Sequence, residues 1–399
     1  MSNIFGHGFY LFLSSPILSP EISGTSIYLF LFVPVVDPNF LRYVSGVRID
    51  RKYVVASLLL IASSIPFGSV VFLLKIFSIV VTVSYIAYTV QVGTFRLYTY
   101  MSLNVAVAVV QCVGFLVFSR EFLYPADIGG FLYGSYSLGV GETGIGALGY
   151  LLPYRFSGLS REPGFFSSLL IASFLLLLND RSVKRRNVIL AVHAIGIVLG
   201  FSKISIAFFS VFLLVFLFRN LVNRVPKPVA IGVAVALLMV GTSYLYRTMG
   251  VDYLDPSLSH RTIGYAILGE LSAPDLLFGV GFRNIASRMG EIPLIAHSIW
   301  YENAPGAILA GSGLSSVIID HGLLYFLMLM FLLHVLRVNT YEMLLFLLLT
   351  VNENPLTSSS FVLIGIYYML SSRPDAPPPG WSRPSPPRSP AGSSAPEPA

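Results

Sequence analysis

The chain is 399 residues long, 55% hydrophobic and only 11% charged, with a mean hydropathy of +0.77. That composition excludes an ordinary soluble domain. It points instead to an all-α, polytopic integral membrane protein with about ten to twelve transmembrane helices and one large extracytoplasmic loop. The formal charge of +6 does not indicate a nucleic-acid partner, because Lys and Arg gathered on the cytoplasmic side of a membrane account for it. The single cysteine, Cys112, excludes an intramolecular disulfide.

Two candidate spans open the chain, near 4–19 and 22–40, and no basic residue precedes the first, which fits a cleaved signal peptide poorly. Arg42, Arg48, Arg51 and Lys52 then mark a cytoplasmic turn. Spans near 53–65 and 69–90 follow, divided by Pro66 and Gly68, and Arg96 leads into a span near 97–118. Residues 119–160 form a polar loop rich in Gly and Tyr, expected on the outer face. Its Gly144, Gly146 and Gly149 match GxGxxG, but no strand–helix unit surrounds them, so a dinucleotide site is rejected. The next span runs to about Leu178, and Arg181, Lys184, Arg185 and Arg186 form a second cytoplasmic turn. Residues 188–218 are too long for one span and carry Ser202 and Lys203 at their middle, which reads as two short helices with a polar outer tip. A span near 229–246 leads to the largest hydrophilic segment, 247–315, read as a folded outer cap with helical patterning near 262–271. Spans near 316–336, 341–351 and 360–370 complete a membrane domain over 1–372. Residues 373–399, rich in Pro, Ser and Ala, read as a disordered cytoplasmic tail.

About sixteen of the 25 Lys and Arg fall inside on this topology, in the expected direction. The outer ones have no topological reason to be there: Arg120, Arg155, Arg161, Lys203, Arg247, Arg261, Arg283 and Arg288. Buried cations in a bilayer persist mostly where they face water, each other or a charged ligand. Arg155 and Arg161 stand just ahead of an apolar run, together with Glu162 and Pro163. A polar helix start explains Glu162 and Pro163, but the positive end of a helix disfavours cations. The six histidines show no HxxxH or HExxH spacing, so no metal and no cofactor is expected. Arginine forks suit phosphate, and a phosphate at the outer face of a membrane suggests a lipid diphosphate. His297, in the outer segment, suits removal of a proton from an attacking hydroxyl. For Arg283 and Arg288, pairing with Asp275 and Glu291 on a solvated surface stands as the alternative to ligand contact.

Arg155-x-x-Gly158 followed by Glu162-Pro163-Gly164 at the head of a span resembles the motif of bacterial O-antigen polymerases and O-antigen ligases. The Ser202-Lys203 hairpin resembles their S-x-S-R hairpin, with Lys in place of Arg. Phe278-Gly279-Val280-Gly281 resembles their fGxG turn, and His297 precedes Gly311-x-Gly313 at the opening of a span, as in that family. The resemblance covers roughly 153–336. It implies a glycosyltransferase of the bacterial inner membrane that takes an undecaprenyl-diphosphate-linked oligosaccharide. In it Arg155 and Arg261 would grip the diphosphate, and His297 and Glu162 would complete the catalytic set. Arg161, Lys203, Arg247 and Arg283 are the expected substrate-binding residues. A flippase and a chain-length regulator are the implied protein partners, and membrane lipid the surroundings. Ser298 stands where the ligases carry Asn, and Arg161-Glu162-Pro163-Gly164 has the polymerase form. The expected activity is therefore polymerisation of O-antigen or exopolysaccharide repeat units. An O-antigen ligase is the near alternative. A transporter or lipid-linked oligosaccharide flippase is the alternative of another class, disfavoured because the charges gather at one face.

Overall fold

The computed structural model describes residues 2–19, 28–46, 70–118, 154–160, 163–180, 183–200, 203–249, 256–281, 284–296, 314–335 and 338–352, with short pieces at 21–22, 25–26, 48–49, 55, 58, 140–142 and 381–382. These residues are mostly α-helical. The glycine motif at 144–149, the expected span at 360–370 and the tail other than Trp381–Ser382 lie outside them, as does the expected span at 53–65 apart from two positions.

Helix α1 (Ser2–Ser14) stops before Pro16, which has no N–H to donate and clashes with the preceding turn. The apolar run at 22–40 is not one span, which corrects the sequence reading. It breaks into a single turn at Leu29–Leu31, another at Val33–Val36, and helix α2 (Pro38–Gly46). Pro34 and Pro38 interrupt the backbone ladder, and Asp37 between them caps α2, accepting from Asn39 N at 3.0 Å. The other oxygen of Asp37 accepts the Tyr85 hydroxyl at 2.9 Å. Tyr85 belongs to α3 (Val70–Gln91), and its ring packs against Phe9 at 4.6 Å and Phe40 at 5.0 Å. This aromatic cluster fastens α1, α2 and α3 together.

Helices α4 (Leu97–Phe118), α5 (Pro163–Asn179), α6 (Arg186–Gly200) and α7 (Lys203–Leu217) form the middle of the bundle. Residues 188–218 do divide into two helices around Ser202. Antiparallel packing of α5 on α6 is read from side-chain pairs: Gly200 lies against Pro163 and Ser167, Gly196 against Leu170, and His193 Nε2 is 2.9 Å from Ser173 Oγ. The two glycines let the helices approach closely, as small residues do in membrane bundles.

Helix α8 (Lys227–Met249) leads to α9 (Pro256–Leu268), α10 (Ala273–Phe278), α11 (Leu314–Val335) and α12 (Thr340–Asn352). The start of α12 is tied to the turn before α8, since Asn223 Oδ1 accepts Tyr341 N at 3.0 Å and Thr340 Oγ1 donates to Val225 O at 3.0 Å. The α7–α8 turn and the α11–α12 turn therefore share one end of the bundle. Pro163, Lys203, Met249 and Leu314 mark the other end.

Among the described residues, three helices are long and apolar enough to cross a membrane, over Leu97–Val117, Lys227–Thr248 and Leu314–Phe331. Large apolar side chains stand exposed along the first two, among them Val110, Leu116, Leu237 and Val240 at 65–75%. Water would penalise such faces, and lipid would not. Two short strands, β1 (Val140–Glu142) and β2 (Tyr154–Phe156), pair antiparallel with Gly141 opposite Arg155. Two-residue pairs also join Glu21–Ile22 to Thr25–Ser26 and Arg48–Ile49 to Trp381–Ser382.

Candidate functional site

Arg155 sits at the centre of β2, ahead of α5 rather than on it, so the positive end of α5 does not begin at this arginine. Phe156 anchors the strand on α4, its ring 6.2 Å from that of Phe115. The chain then turns through residues 157–160, with Ser160 N donating to Ser157 O at 2.9 Å. Gly158 has φ +57°, a conformation L side chains rarely adopt, and a Cβ there would collide with Asn104.

Two amides of α4 hold this turn. Gln111 uses both ends of its side chain on one residue: Oε1 accepts Gly158 N at 2.9 Å and Nε2 donates to Gly158 O at 3.0 Å. Asn104 Oδ1 accepts Leu159 N at 2.6 Å, and Asn104 Nδ2 donates to Ser14 O at 2.7 Å. Ile17 N adds a bond to Leu159 O at 3.2 Å. The buried non-helical backbone is thus paired by protein groups, as irregular chain inside an apolar bundle must be.

Around this well-satisfied turn lie polar atoms that are not satisfied. The hydroxyls of Ser15, Ser157 and Ser160 and the Nε of Arg155 are buried and have no hydrogen-bond partner among the described residues. Each such group costs about 1–3 kcal/mol if left unpaired. Three of them fall within residues 155–160, one on a cation, and the fourth, Ser15, lies between Ser14 and Ile17, which are bonded to Asn104 and to Leu159 of the turn. Such groups suit an anionic or hydroxylated ligand.

The neighbouring expected residues arrive at the same end of the bundle. Gly200 packs on Pro163, so Lys203, which begins α7, starts close to the head of α5. Arg161 and Glu162 lie between the turn and α5, outside the described residues. On the far side, the Tyr246 hydroxyl of α8 lies 2.8 Å from Thr262 Oγ1 and pins α9 to it. Arg261 precedes Thr262 and is placed by its backbone on α9. Arg247 is 67% exposed and pairs with Glu270 at 3.0 Å, a surface partner that accounts for its charge. Arg288 forks onto Asp275 at 3.1 Å through both terminal nitrogens and reaches Glu291 at 3.3 Å, the solvated pairing read as its alternative. This fork, with help from Ser272, holds the Asp275 carboxyl below its usual range. Arg283 and His297 lie outside the described residues.

The turn at Phe278–Gly281 reaches into α11. Gly322 has φ 84° and ψ 167°, which breaks the helix. The carbonyls of Ile319 and Asp320 lose their helical partners there and accept instead from Val280 N at 2.8 Å and Gly281 N at 3.1 Å. Gly279 (φ +86°) and Gly322 face each other backbone to backbone, leaving no room for a Cβ on either. Asp320 and His321 are buried at the break. The sequence reading passed over both, although an acid, a histidine and a glycine in succession inside an apolar run are a legible signal of a discontinuous helix. No protein-family model, curated protein or solved structure matches the chain.

Proposed function

We propose that the chain is a multi-pass inner-membrane glycosyltransferase with about ten to twelve spans, and that it polymerises lipid-diphosphate-linked oligosaccharide repeat units on the periplasmic face. The observation that supports this most is the buried Arg155 Nε, without a partner among the described residues, just ahead of a turn clasped by α4 whose Ser157 and Ser160 hydroxyls are likewise buried and unpartnered. Lys203 and Arg261 belong to the same end of the bundle, opposite the basic turns at 183–186 and 219–227, which suits phosphate binding on the outer face. In the proposed reaction an acceptor sugar hydroxyl attacks the anomeric carbon of the donor. The new C–O bond forms as the bond to the diphosphate oxygen breaks, and the leaving group keeps the electron pair. Arg155 and Arg261 stabilise its growing charge. His297 takes the hydroxyl proton. Glu162, next to Arg161 in the sequence, belongs to the proposed catalytic set. Reconstitution in liposomes with an undecaprenyl-diphosphate-linked oligosaccharide tests this. A ladder of longer glycans with matching release of undecaprenyl diphosphate is expected. Correctly inserted protein that leaves the donor intact overturns the reading.

A further inference from the structure

The opposite end of the bundle carries a second basic site. A cavity of about 470 Å³ opens between α5, α6 and the end of α7, lined by Leu178, Arg186, Phe216 and Arg219. Both arginines are half-buried, and neither makes an ion pair among the described residues. The Arg219 guanidinium stacks over the Phe216 ring at 4.7 Å, which fixes its plane. Asp180, two residues beyond Leu178, is buried and accepts the Tyr98 hydroxyl at 3.4 Å. Two partly desolvated forks facing one space, with no carboxylate paired to either among the described residues, call for an anion with several acceptor oxygens.

We propose that this cavity binds the phosphodiester headgroup of an anionic phospholipid of the inner leaflet. The phosphate bridges the forks of Arg186 and Arg219. The acyl chains lie along the exposed apolar side chains that flank the site, Val188, Leu217 and Phe218, at 57–71% exposure. A free phosphate has no use for those walls or for Leu178 and Phe216. Exposed Lys184, Arg185 and Arg224 add the positive field that draws anionic lipid to a cytoplasmic surface. The inference rests on the membrane-spanning reading and is independent of glycosyl transfer.

The test is thermal unfolding of the full chain in a neutral detergent with added dioleoyl phosphatidylglycerol, dioleoyl phosphatidylcholine or inorganic phosphate. Phosphatidylglycerol is expected to raise the midpoint by about 2–4 °C over phosphatidylcholine. The Arg186→Gln/Arg219→Gln double variant should lose that difference. The Arg186→Lys/Arg219→Lys variant keeps the charges, so its fold is protected, but loses the planar forks and should show a reduced difference. An equal rise with phosphatidylcholine, or an undiminished rise in either double variant, overturns the proposal. A rise reproduced by inorganic phosphate also overturns it and assigns the cavity to a soluble anion. Wild-type protein released from membranes by alkaline carbonate would instead sink the membrane reading, which keeps the two failures apart.

Discussion

Gly158 carries two independent constraints, a positive φ and contact with Asn104, and the Gln111 amide binds both of its backbone groups. Gly158→Ala is expected to cost at least about 2 kcal/mol, because strain and collision add. Gln111→Leu removes both the acceptor for Gly158 N and the donor to Gly158 O, and should destabilise by about 1–3 kcal/mol for each buried backbone group left unpaired. Thermal unfolding in detergent measures it, and equal midpoints for wild type and Gln111→Leu would show that the clasp does not hold the turn. The glycine and the arginine of this motif were legible in the sequence. The clasp was not, because Asn104 and Gln111 lie 55 and 47 residues from their partners. Polar residues inside an apolar run do not announce what they bind.

At the scale of elements, α10 and the turn after it are joined to α11 through main-chain bonds at a helix break. Such a joint depends on backbone shape more than on side-chain chemistry. Gly279→Ala and Gly322→Ala should each destabilise by about 2 kcal/mol or more, since backbone atoms block the new Cβ. Gly281→Ala should be milder, because beyond the positive-φ strain it shares with the other two, its Cβ would meet only the side chain of Asn284 and no backbone. A Gly281→Ala variant less stable than Gly279→Ala would contradict this joint. The Arg288–Asp275 fork steadies α10 from its exposed side, and its pH dependence has a definite sign. The folded carboxyl is depressed, so its contribution is present above the unfolded value of about 3.9 and is lost as pH falls through the lower folded value. The midpoint difference between wild type and Asp275→Asn should therefore be small at pH 6, of order 0.5 kcal/mol for a largely exposed pair, and should shrink toward pH 3. A difference that grows on acidification contradicts the assignment.

Across the whole molecule, the proposed function needs two segments, 119–160 and 247–315, on the same non-cytoplasmic face. In a Cys112→Ser background, Ser272→Cys and a cysteine placed in 119–160 should react with an impermeant thiol reagent on intact cells, and Asn220→Cys only after lysis. The reverse pattern would move the candidate site to the wrong side of the membrane. Much of this plan was readable from hydropathy. The helix at Leu97–Phe118 and the division of 188–218 at Ser202 follow from apolar length and polar interruption alone. The broken run at 22–40 and the break at Gly322 escaped, because mean hydropathy counts apolar side chains and ignores where proline or left-handed glycine ends a ladder. Whether Arg155 grips a departing diphosphate is tested most directly by polymer formation with Arg155 variants at matched membrane abundance. Arg155→Ala is expected to lower turnover by about 10²–10³-fold, and Arg155→Lys nearly as much, since it keeps the charge and loses the fork. Wild-type polymer from Arg155→Ala at normal abundance would contradict the account.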